Sequence, residues 1–388
     1  MKRLQSLLQQ SPQAGYARRR QRYCAVAGQL RRGVVVWGCG ALGRVIAARL
    51  RDLDIAIAAF VDREPTLWGK EFCGACVLSP DAIRTGAHAE NVVVIGVYTS
   101  APLRALLSSW GRSYLTFPEL AWGFPERFLP FCDLESPQIA CENAPDVVAG
   151  LSVWSDDASR QEYLGQLEWR FTLDYDVLPP HLAASDTYFP PQYVSLGADE
   201  HFVDCGAFDG DSIREFLSRT GGRFGRITAF EADPENFRRL CSYVETLPAD
   251  TARRINPVQM VVGERPGAAF FRSDGTVASS VGAGGVEVAV TTLDAIAQVH
   301  PISYVKMDIE GFEPSALAGG HRAIRANRPI LAICLYHAFD HLWSIPNAIR
   351  ALVPDYDLFL GRHSDECWEL VCYAMPRSQK QPAMSGAA

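Results

Sequence analysis

The sequence predicts an α/β protein with two Rossmann-like domains, because apolar strands alternate with helices along most of the chain. Two stretches carry this prediction: HFVDCGAFDGD at 201–211 and GVVVWGCGALGRVIAARLRDLDIAIAAFVD at 33–62. In each, an apolar strand runs into glycines that are followed by a helix. Glycines after a buried strand let a ligand approach bare backbone, and the next helix begins with its positive end toward that ligand. We therefore predict two ligand cradles.

The composition sets outer limits on function. The chain has 388 residues, 48% hydrophobic and 21% charged, which suits a globular protein of two domains. A formal net charge of -7 argues against a general nucleic-acid binder, which needs a basic face to neutralise phosphates. No apolar run reaches the roughly 20 residues of a membrane helix, and no signal peptide precedes the first helix. We predict a cytoplasmic protein without a nucleic-acid or membrane partner.

The cysteines give no sign of a metal site. The chain has 11 of them, scattered and several within strand-like runs, where they behave as small hydrophobic residues in a reducing compartment. Cys73 and Cys76 form a CxxC, but a single pair without a second pair or a histidine pair is weak evidence for zinc. We predict no bound metal.

The first domain follows a helical arm rich in Gln, Leu and Arg. Its predicted elements are a strand at 34–36, a helix at 41–51, a strand at 55–61 and a buried strand at 91–97. This order is a dinucleotide fingerprint, in which Gly38, Gly40 and Gly43 form the turn and Asp62 holds a ribose. No candidate acid, base or nucleophile follows the turn. Two interpretations stay open: a nucleotide or nucleotide-sugar site, or a scaffold whose glycines serve close packing.

The second domain follows a connector with a helix at 158–171 and a proline-broken loop at 179–191. Its predicted strands lie at 202–203, 227–230, 258–262, 303–307, 330–336, 357–360 and 370–373, with helices between the first five. The predicted organisation is a helical arm at 1–32, a Rossmann-like nucleotide-binding-type domain at 33–130, a helical and proline-rich connector at 131–197, a second α/β domain at 198–376 and a flexible tail at 377–388.

Ligands in such sheets bind outside the carboxyl ends of the strands. That rule selects the stretch 204–211, Glu231, the acids at 308–310 and His337. Glu231 ends the second strand of the domain, where a carboxylate accepts hydrogen bonds from vicinal ribose hydroxyls. Asp233 precedes a proline, so we predict it as a helix cap instead.

These motifs together resemble a known family. FVDCGAFDGD, AFEADPENFRRL, TTLDAI, YVKMDIEGFEPSALAG and LAICLYHAFDHLWSIPNAI, between Tyr188 and Met375, resemble the FkbM family of S-adenosylmethionine-dependent methyltransferases. The resemblance implies a class I methyltransferase sheet, mostly parallel with an antiparallel strand at one end, behind a Rossmann-like domain. It implies S-adenosyl-L-methionine as cofactor, with these cofactor-binding residues: Asp204, Gly206, Ala207, Phe208, Gly210, Glu231, Ala232 and Asp308. Phe208 replaces a common glycine, so its ring either covers the cofactor or faces the core.

The candidate catalytic residues follow the next two strands. Methyl transfer to oxygen is an in-line displacement, and a positioned base adds about 10²- to 10⁴-fold when the acceptor hydroxyl must lose a proton. Asp308 and Glu310 form an acidic pair, and paired carboxylates in one cleft raise the pKa of one of them. An imidazole such as that of His337 titrates near working pH. We therefore predict Asp308, Glu310 and His337 as catalytic residues.

The resemblance implies O-methylation of a sugar, glycan or secondary-metabolite hydroxyl, with a small molecule or glycan as partner. The alternative from another class is a nucleotide-sugar or NAD-dependent enzyme acting through the first glycine turn. The second turn is favoured because candidate acids and a histidine accompany it, whereas the first has none. The sequence leaves the oligomeric state open, and a homo-oligomer is one of the alternatives.

Overall fold

The computed structural model describes residues 1–272, 280–281 and 286–377. The tail predicted from 377 onward lies outside the described residues, apart from Arg377 itself. Within the described part of the chain, no helix is both long and apolar enough to cross a membrane.

The arm at the start of the chain folds as predicted into short helices. These are α1 (Lys2–Leu8), α2 (Pro12–Arg19) and α3 (Gln21–Val26). The Ser11 hydroxyl accepts a hydrogen bond from the backbone N–H of Ala14 and so caps α2. Leu4 and Leu7 are buried in the core of the C-terminal half, which means that the arm reaches past the first sheet.

The first sheet has the strand order β3-β4-β2-β1-β5-β6. Its strands are β1 (Val34–Trp37), β2 (Ile57–Val61), β3 (Glu71–Phe72), β4 (Ala75–Leu78), β5 (Val92–Ile95) and β6 (Tyr114–Thr116), accompanied by α4 (Ala41–Asp52), α5 (Ala101–Ser109), α6 (Phe117–Gly123) and α7 (Pro125–Phe128). All neighbours are parallel except the β3–β4 hairpin. Strands β1 and β5 are buried along their whole length, as continuous apolar runs in a covered parallel sheet should be.

The predicted connector is helical and packs on the C-terminal half. It contains α8 (Gln138–Glu142), α9 (Ala144–Ser152) and α10 (Asp157–Thr172). Two polar contacts fix α10 against a strand that lies near the end of the chain. The Ser159 hydroxyl accepts from the N–H of Leu360 at 2.9 Å, and Arg362 lies 2.8 Å from Glu162 in a buried ion pair.

The C-terminal half contains a seven-stranded sheet of order β16-β17-β15-β14-β7-β8-β9 and a small sheet of order β10-β13-β11-β12. The strands are β7 (His201–Cys205), β8 (Arg226–Phe230), β9 (Ile255–Val258), β10 (Val261–Val262), β11 (Gly267–Arg272), β12 (Ser280–Val281), β13 (Val286–Thr291), β14 (Tyr304–Met307), β15 (Ile330–Cys334), β16 (Tyr356–Arg362) and β17 (Leu370–Pro376). The helices are α11 (Asp211–Thr220), α12 (Pro234–Glu245), α13 (Ala249–Ala252), α14 (Leu293–Val299), α15 (Glu313–Ala318), α16 (His321–Asn327) and α17 (His341–Leu352).

The predicted fold class is confirmed. Strands β9, β8, β7, β14 and β15 are parallel, and β17 pairs in antiparallel fashion with β15 on one side and with the edge strand β16 on the other. The prediction of one strand at 258–262 is wrong, because β9 and β10 belong to different sheets. The predicted strand at 330–336 ends at Cys334, which leaves Tyr336 and His337 in the following loop.

Candidate active site

A cavity of about 840 Å³ lies beside the loops that follow the parallel strands β7, β8 and β14. The sequence-predicted residues in its wall are Gly206, Phe208, Glu231, Ala232, Asp308 and Glu310. Tyr188, Lys306, Tyr336 and Glu369 complete the part of the wall that surrounds Asp308. The loops after the parallel strands thus bring together most of the residues that the strand-end rule selects.

Gly206 is the point where two strand ends approach most closely. Its φ is +84°, and a Cβ added there would lie 1.9 Å from the carbonyl oxygen of Asp308. Gly210 also has a positive φ, +89°, and its Cβ would lie 2.6 Å from the ring of Tyr243. Only glycine combines a left-handed backbone with such close contact. The two glycines therefore shape the turn, but Gly210 does so from outside the cavity wall.

A buried ion pair supports the turn from behind. Lys306 Nζ lies 3.0 Å from Asp204 Oδ1 and donates to the carbonyl oxygen of Gly206 at 2.6 Å. Asp204 also accepts a hydrogen bond from the Ser212 hydroxyl. Burial opposes the charge on Lys306, but the carboxylates of Asp204 and Asp308 outweigh it and raise its pKa. Asp204 is fully buried, so it supports the turn instead of facing the cavity.

Glu231 lies between the turn and the next helix. One of its carboxylate oxygens accepts from the N–H of Phe208 at 2.8 Å, and the other accepts from the N–H of Asp233 at 2.8 Å. Burial raises the pKa of Glu231 to about 7. Asp233 caps α12 as predicted, because its side chain accepts from two N–H groups of the first turn.

Phe208 and Ala207 face opposite directions. The ring of Phe208 lines the cavity and is 47% exposed, which decides between its two predicted orientations: it does not face the core. Its φ is +46°, so the turn takes a left-handed step at a non-glycine residue. Ala207 is fully buried in the core against α11 and α12 and does not reach the cavity.

Asp308 is held by three neighbours from two loops. It accepts hydrogen bonds from Tyr188 at 2.8 Å and from Tyr336 at 3.0 Å, and His337 Nε2 lies 3.2 Å from its Oδ1. Burial opposes its ionisation, but His337 and the charge of Lys306 outweigh burial and lower its pKa. Asp308 is therefore an ionised, fixed hydrogen-bond acceptor at the cavity wall.

His337 is wedged behind Asp308 and lies outside the cavity wall. Its ring is 2% exposed, and its Nδ1 lies 2.8 Å from Glu313 Oε1. Burial opposes its charge, but the carboxylates of Glu313 and Asp308 outweigh burial and raise its pKa well above the usual value. The predicted position of His337 on the ligand face is corrected, because the end of β15 turns its ring inward.

Glu310 reaches the cavity from a left-handed backbone with φ +54°. Its carboxylate lies 3.7 Å from His337 Nε2. Burial is the largest of the effects that together raise the pKa of Glu310 to about 8; the charge of His337 opposes it, and the acids nearby, Asp308 first, add to it. Of the predicted catalytic residues, Glu310 therefore has the pKa best suited to a proton acceptor near neutral pH.

Glu369 is a cavity residue that sequence reasoning missed. It lies just before β17 with φ +56°. Burial, followed by the charge of Asp308, raises its pKa to about 7. The described residues give its carboxylate no hydrogen bond or ion pair. An acid directly before the apolar run LVCYAM was the available signal, but that strand is antiparallel and the strand-end rule does not select its start.

The first glycine turn has a different environment. A Cβ on Gly38 would lie 2.5 Å from Gly96 O, and one on Gly43 would lie 2.1 Å from Gly38 O, so both glycines serve close packing. Gly40 meets nothing within 4 Å. The two carboxylate oxygens of Asp62 accept from the N–H of Cys39 at 2.8 Å and of Glu64 at 2.9 Å.

The C-terminal half packs against the segment that follows β5, close to this turn. The loop between β16 and β17 places Asp365 against the start of α5, where it accepts from the N–H of Ala101 at 2.9 Å. An acid is favourable at a helix N-terminus. In the same loop, the ring of Trp368 packs edge-on against Tyr98 with centroids 5.1 Å apart. Among the described residues, no group of three or more His, Cys, Asp and Glu side chains is arranged to hold a metal ion.

The seven-stranded sheet with a cavity beside its strand ends is a Rossmann-like fold, and the family comparison is more specific about its activity. Residues 204–360 match the model of the methyltransferase FkbM domain, so this part of the chain is an FkbM methyltransferase domain and the predicted resemblance is confirmed. The chain is similar in structure to the methyltransferase FkbM from Methylobacillus flagellatus KT, with a TM-score of 0.69 and 23% identity, covering 94% of this chain and 100% of that chain.

More distant structural similarities involve two other proteins. Fibrillarin from Aeropyrum pernix, in complex with natively bound S-adenosyl-L-methionine, gives a TM-score of 0.31 at 13% identity, covering 50% of this chain and 76% of that chain. A putative rRNA-methylase from Clostridium thermocellum gives a TM-score of 0.34 at 9% identity, covering 51% of this chain and 98% of that chain. No curated protein matches the chain.

Proposed function

We propose that this protein is an S-adenosylmethionine-dependent methyltransferase that methylates a hydroxyl of a sugar, glycan or secondary metabolite. The observation that carries the proposal is one cavity, within an FkbM methyltransferase domain, that gathers Gly206, Glu231 and Asp308 in a single wall. Its volume of about 840 Å³ falls within the range of ordinary small-molecule pockets.

The residues present fit the proposed cofactor. Gly206 lies in the cavity wall, where its backbone can contact the methionine part. Glu231 offers a carboxylate to the ribose hydroxyls, and the exposed ring of Phe208, whose backbone N–H donates to Glu231, lines the same cavity. When bound, the cofactor supplies a methyl group on a positively charged sulfur.

Three residues of the chain have different roles at the acceptor: Asp308, Glu310 and His337. Asp308 is fixed by Tyr188, Tyr336 and His337, so it can orient the acceptor hydroxyl without moving. Glu310 accepts the proton, because its pKa of about 8 lies near working pH whereas that of Asp308 is lowered. His337 acts as a positioning residue that holds Asp308 in place.

Calorimetry on the full-length protein tests the donor. We expect S-adenosylmethionine or its demethylated product to bind with a dissociation constant in the micromolar range, roughly -8 kcal/mol. A panel of hydroxyl acceptors, scored for transfer of a labelled methyl group, then identifies the substrate. No heat with either ligand, together with clear binding of NAD, would overturn the proposal in favour of the nucleotide alternative.

Glu231→Ala is expected to weaken donor binding by about 10- to 100-fold, because hydrogen bonds to a charged group contribute about 1.5–3 kcal/mol. The measurement is the dissociation constant by calorimetry. Glu235→Ala is the matched control, since Glu235 lines the same cavity but is exposed and paired with Arg239. Unchanged affinity in the Glu231 variant would contradict the ribose role.

We also propose that the domain at 33–130 is a scaffold for the methyltransferase domain at 198–376. The observation that supports this is the loop with Asp365 and Trp368, which packs against the start of α5 and against Tyr98. Titration with NAD or a nucleotide sugar should then give no heat. The cytoplasmic location and the oligomeric state stay predictions.

A further inference from the structure

Glu310 and Glu369 approach the same part of the cavity from two loops far apart in the chain. Both line the wall beside Asp308, and both are only partly buried. The described residues provide no hydrogen bond to Glu369, and Glu310 has only His337 at 3.7 Å. Two carboxyl groups of this kind are open to a ligand.

The cations near this pair are already engaged. Lys306 is bound by Asp204 and by the carbonyl oxygen of Gly206, and His337 is held between Glu313 and Asp308. The charges that act on Glu369 are those of Asp308, Lys306, His337 and Asp211, and Tyr188, Cys334, Tyr336 and Tyr373 also lie near it. The groups that face Glu310 are His337, Asp308, Glu313 and Glu231, with Tyr98 and Cys132 of the neighbouring segments.

This part of the cavity wall therefore carries more acidic side chains than the nearby cations can neutralise. Burial and then neighbouring carboxylates such as Asp308, against the opposing charges of His337 and Lys306, raise the pKa of Glu310 to about 8 and that of Glu369 to about 7. Both groups are therefore substantially protonated at neutral pH when nothing cationic lies beside them. A positive charge brought into this wall would favour their ionised forms.

We propose that Glu310 and Glu369 distinguish the two forms of the cofactor by charge, favouring S-adenosylmethionine, whose sulfur is positive, over S-adenosylhomocysteine, whose sulfur is neutral. This inference rests on the proposed function and deepens it. Glu369 is a specificity-determining residue for the donor, and Glu310 becomes a competent base when the donor is loaded.

The charges balance through the proposed reaction. The carbon–sulfur bond breaks and the sulfur keeps the electron pair, while the methyl carbon forms a bond to the acceptor oxygen. The hydroxyl proton passes to the Glu310 carboxylate. The positive charge on sulfur and the negative charge on Glu310 thus disappear together. The cavity wall then has no charge preference for the product, S-adenosylhomocysteine, whose sulfur is neutral.

Calorimetry with S-adenosylmethionine and S-adenosylhomocysteine tests the inference in two buffers of different ionisation enthalpy near neutral pH. We expect the wild-type chain to release protons on binding the first ligand but not the second. It should bind the first about tenfold more tightly, which corresponds to a change of about one pKa unit. Glu369→Gln should reduce both the proton release and the preference, the latter to about two- to threefold.

Glu235→Gln is the control, because it removes a carboxylate from the same cavity at a position paired with Arg239. It should keep both the proton release and the preference, and thermal unfolding checks that each variant is folded. Equal affinity and equal proton release for the two ligands, or a Glu369→Gln variant that keeps the wild-type preference, overturns the inference alone. Failure of both ligands to bind overturns the proposed function as well.

Discussion

Replacing Glu310 with Gln is expected to lower turnover by about 10²- to 10⁴-fold, the usual contribution of a positioned general base. Gln has nearly the same shape but cannot take the proton from the acceptor hydroxyl. The measurement is the rate of methyl transfer under saturating donor and acceptor. Glu215→Gln is the matched control, because Glu215 also lines the cavity but forms an ion pair with Arg219 on the surface of α11.

The pH dependence gives a second check on Glu310. Burial raises its pKa to about 8, so below that pH the free enzyme carries mostly the protonated form, which cannot act as a base. The ratio kcat/KM for the methyl donor should therefore rise as pH increases through about 8, since this ratio reports the ionisation of the enzyme before the donor binds. A turnover in Glu310→Gln close to that of the wild type, with an unchanged pH profile, would assign the proton transfer to another group.

Replacing Lys306 with Met is expected to lower the free energy of unfolding by about 3–5 kcal/mol, because it leaves the carboxylate of Asp204 buried without its partner. The two side chains are 2% and 0% exposed, and their charged atoms are 3.0 Å apart. Urea denaturation followed by circular dichroism measures the change. A loss below about 1 kcal/mol would mean that Asp204 becomes neutral at little cost.

Two companion variants separate charge from packing. In the double variant Lys306→Met with Asp204→Asn, much of the stability should return, because both charges are gone. Arg328→Met serves as the surface control. Its partner Asp355 is 60% exposed, so breaking that pair should cost far less stability than breaking the buried pair.

Most of the residues proposed here for the cofactor side could be selected from the sequence because their signals are local. A strand, a glycine turn and a helix are consecutive in HFVDCGAFDGD, and the short-range sterics that require glycine at Gly206 act between neighbouring parallel strands. Glu231 and Asp308 follow strands of the same parallel sheet. Because the carboxyl ends of parallel strands lie at the same edge, the two acids are expected to lie close together from the sequence alone. The same rule could not tell that Asp204, Ala207 and Gly210 lie outside the cavity wall.

The first glycine turn illustrates the opposite case. The strand, glycines, helix and acid of the dinucleotide fingerprint are all present in the sequence. These residues do not indicate which distant segments pack beside the turn. Asp365 and Trp368 are more than 260 residues further along the chain than Ala101 and Tyr98, respectively, and only folding brings them together. The same loop carries Glu369 to the cavity. For that reason, a pattern search along the first domain could not distinguish a nucleotide site from a docking surface.

The sequence by itself determined the fold class, because strand burial and helix periodicity are properties of short segments, and its ordered motifs carried the resemblance to the methyltransferase family of the second domain. Only the tertiary structure decided which acids share the cavity. In the folded chain the ring of His337 lies behind Asp308, and Tyr188 and Tyr336 both donate hydrogen bonds to Asp308. Glu369, which directly precedes an antiparallel strand, lines the same cavity. These placements depend on contacts between distant segments, and such contacts also set the pKa values on which the chemistry depends.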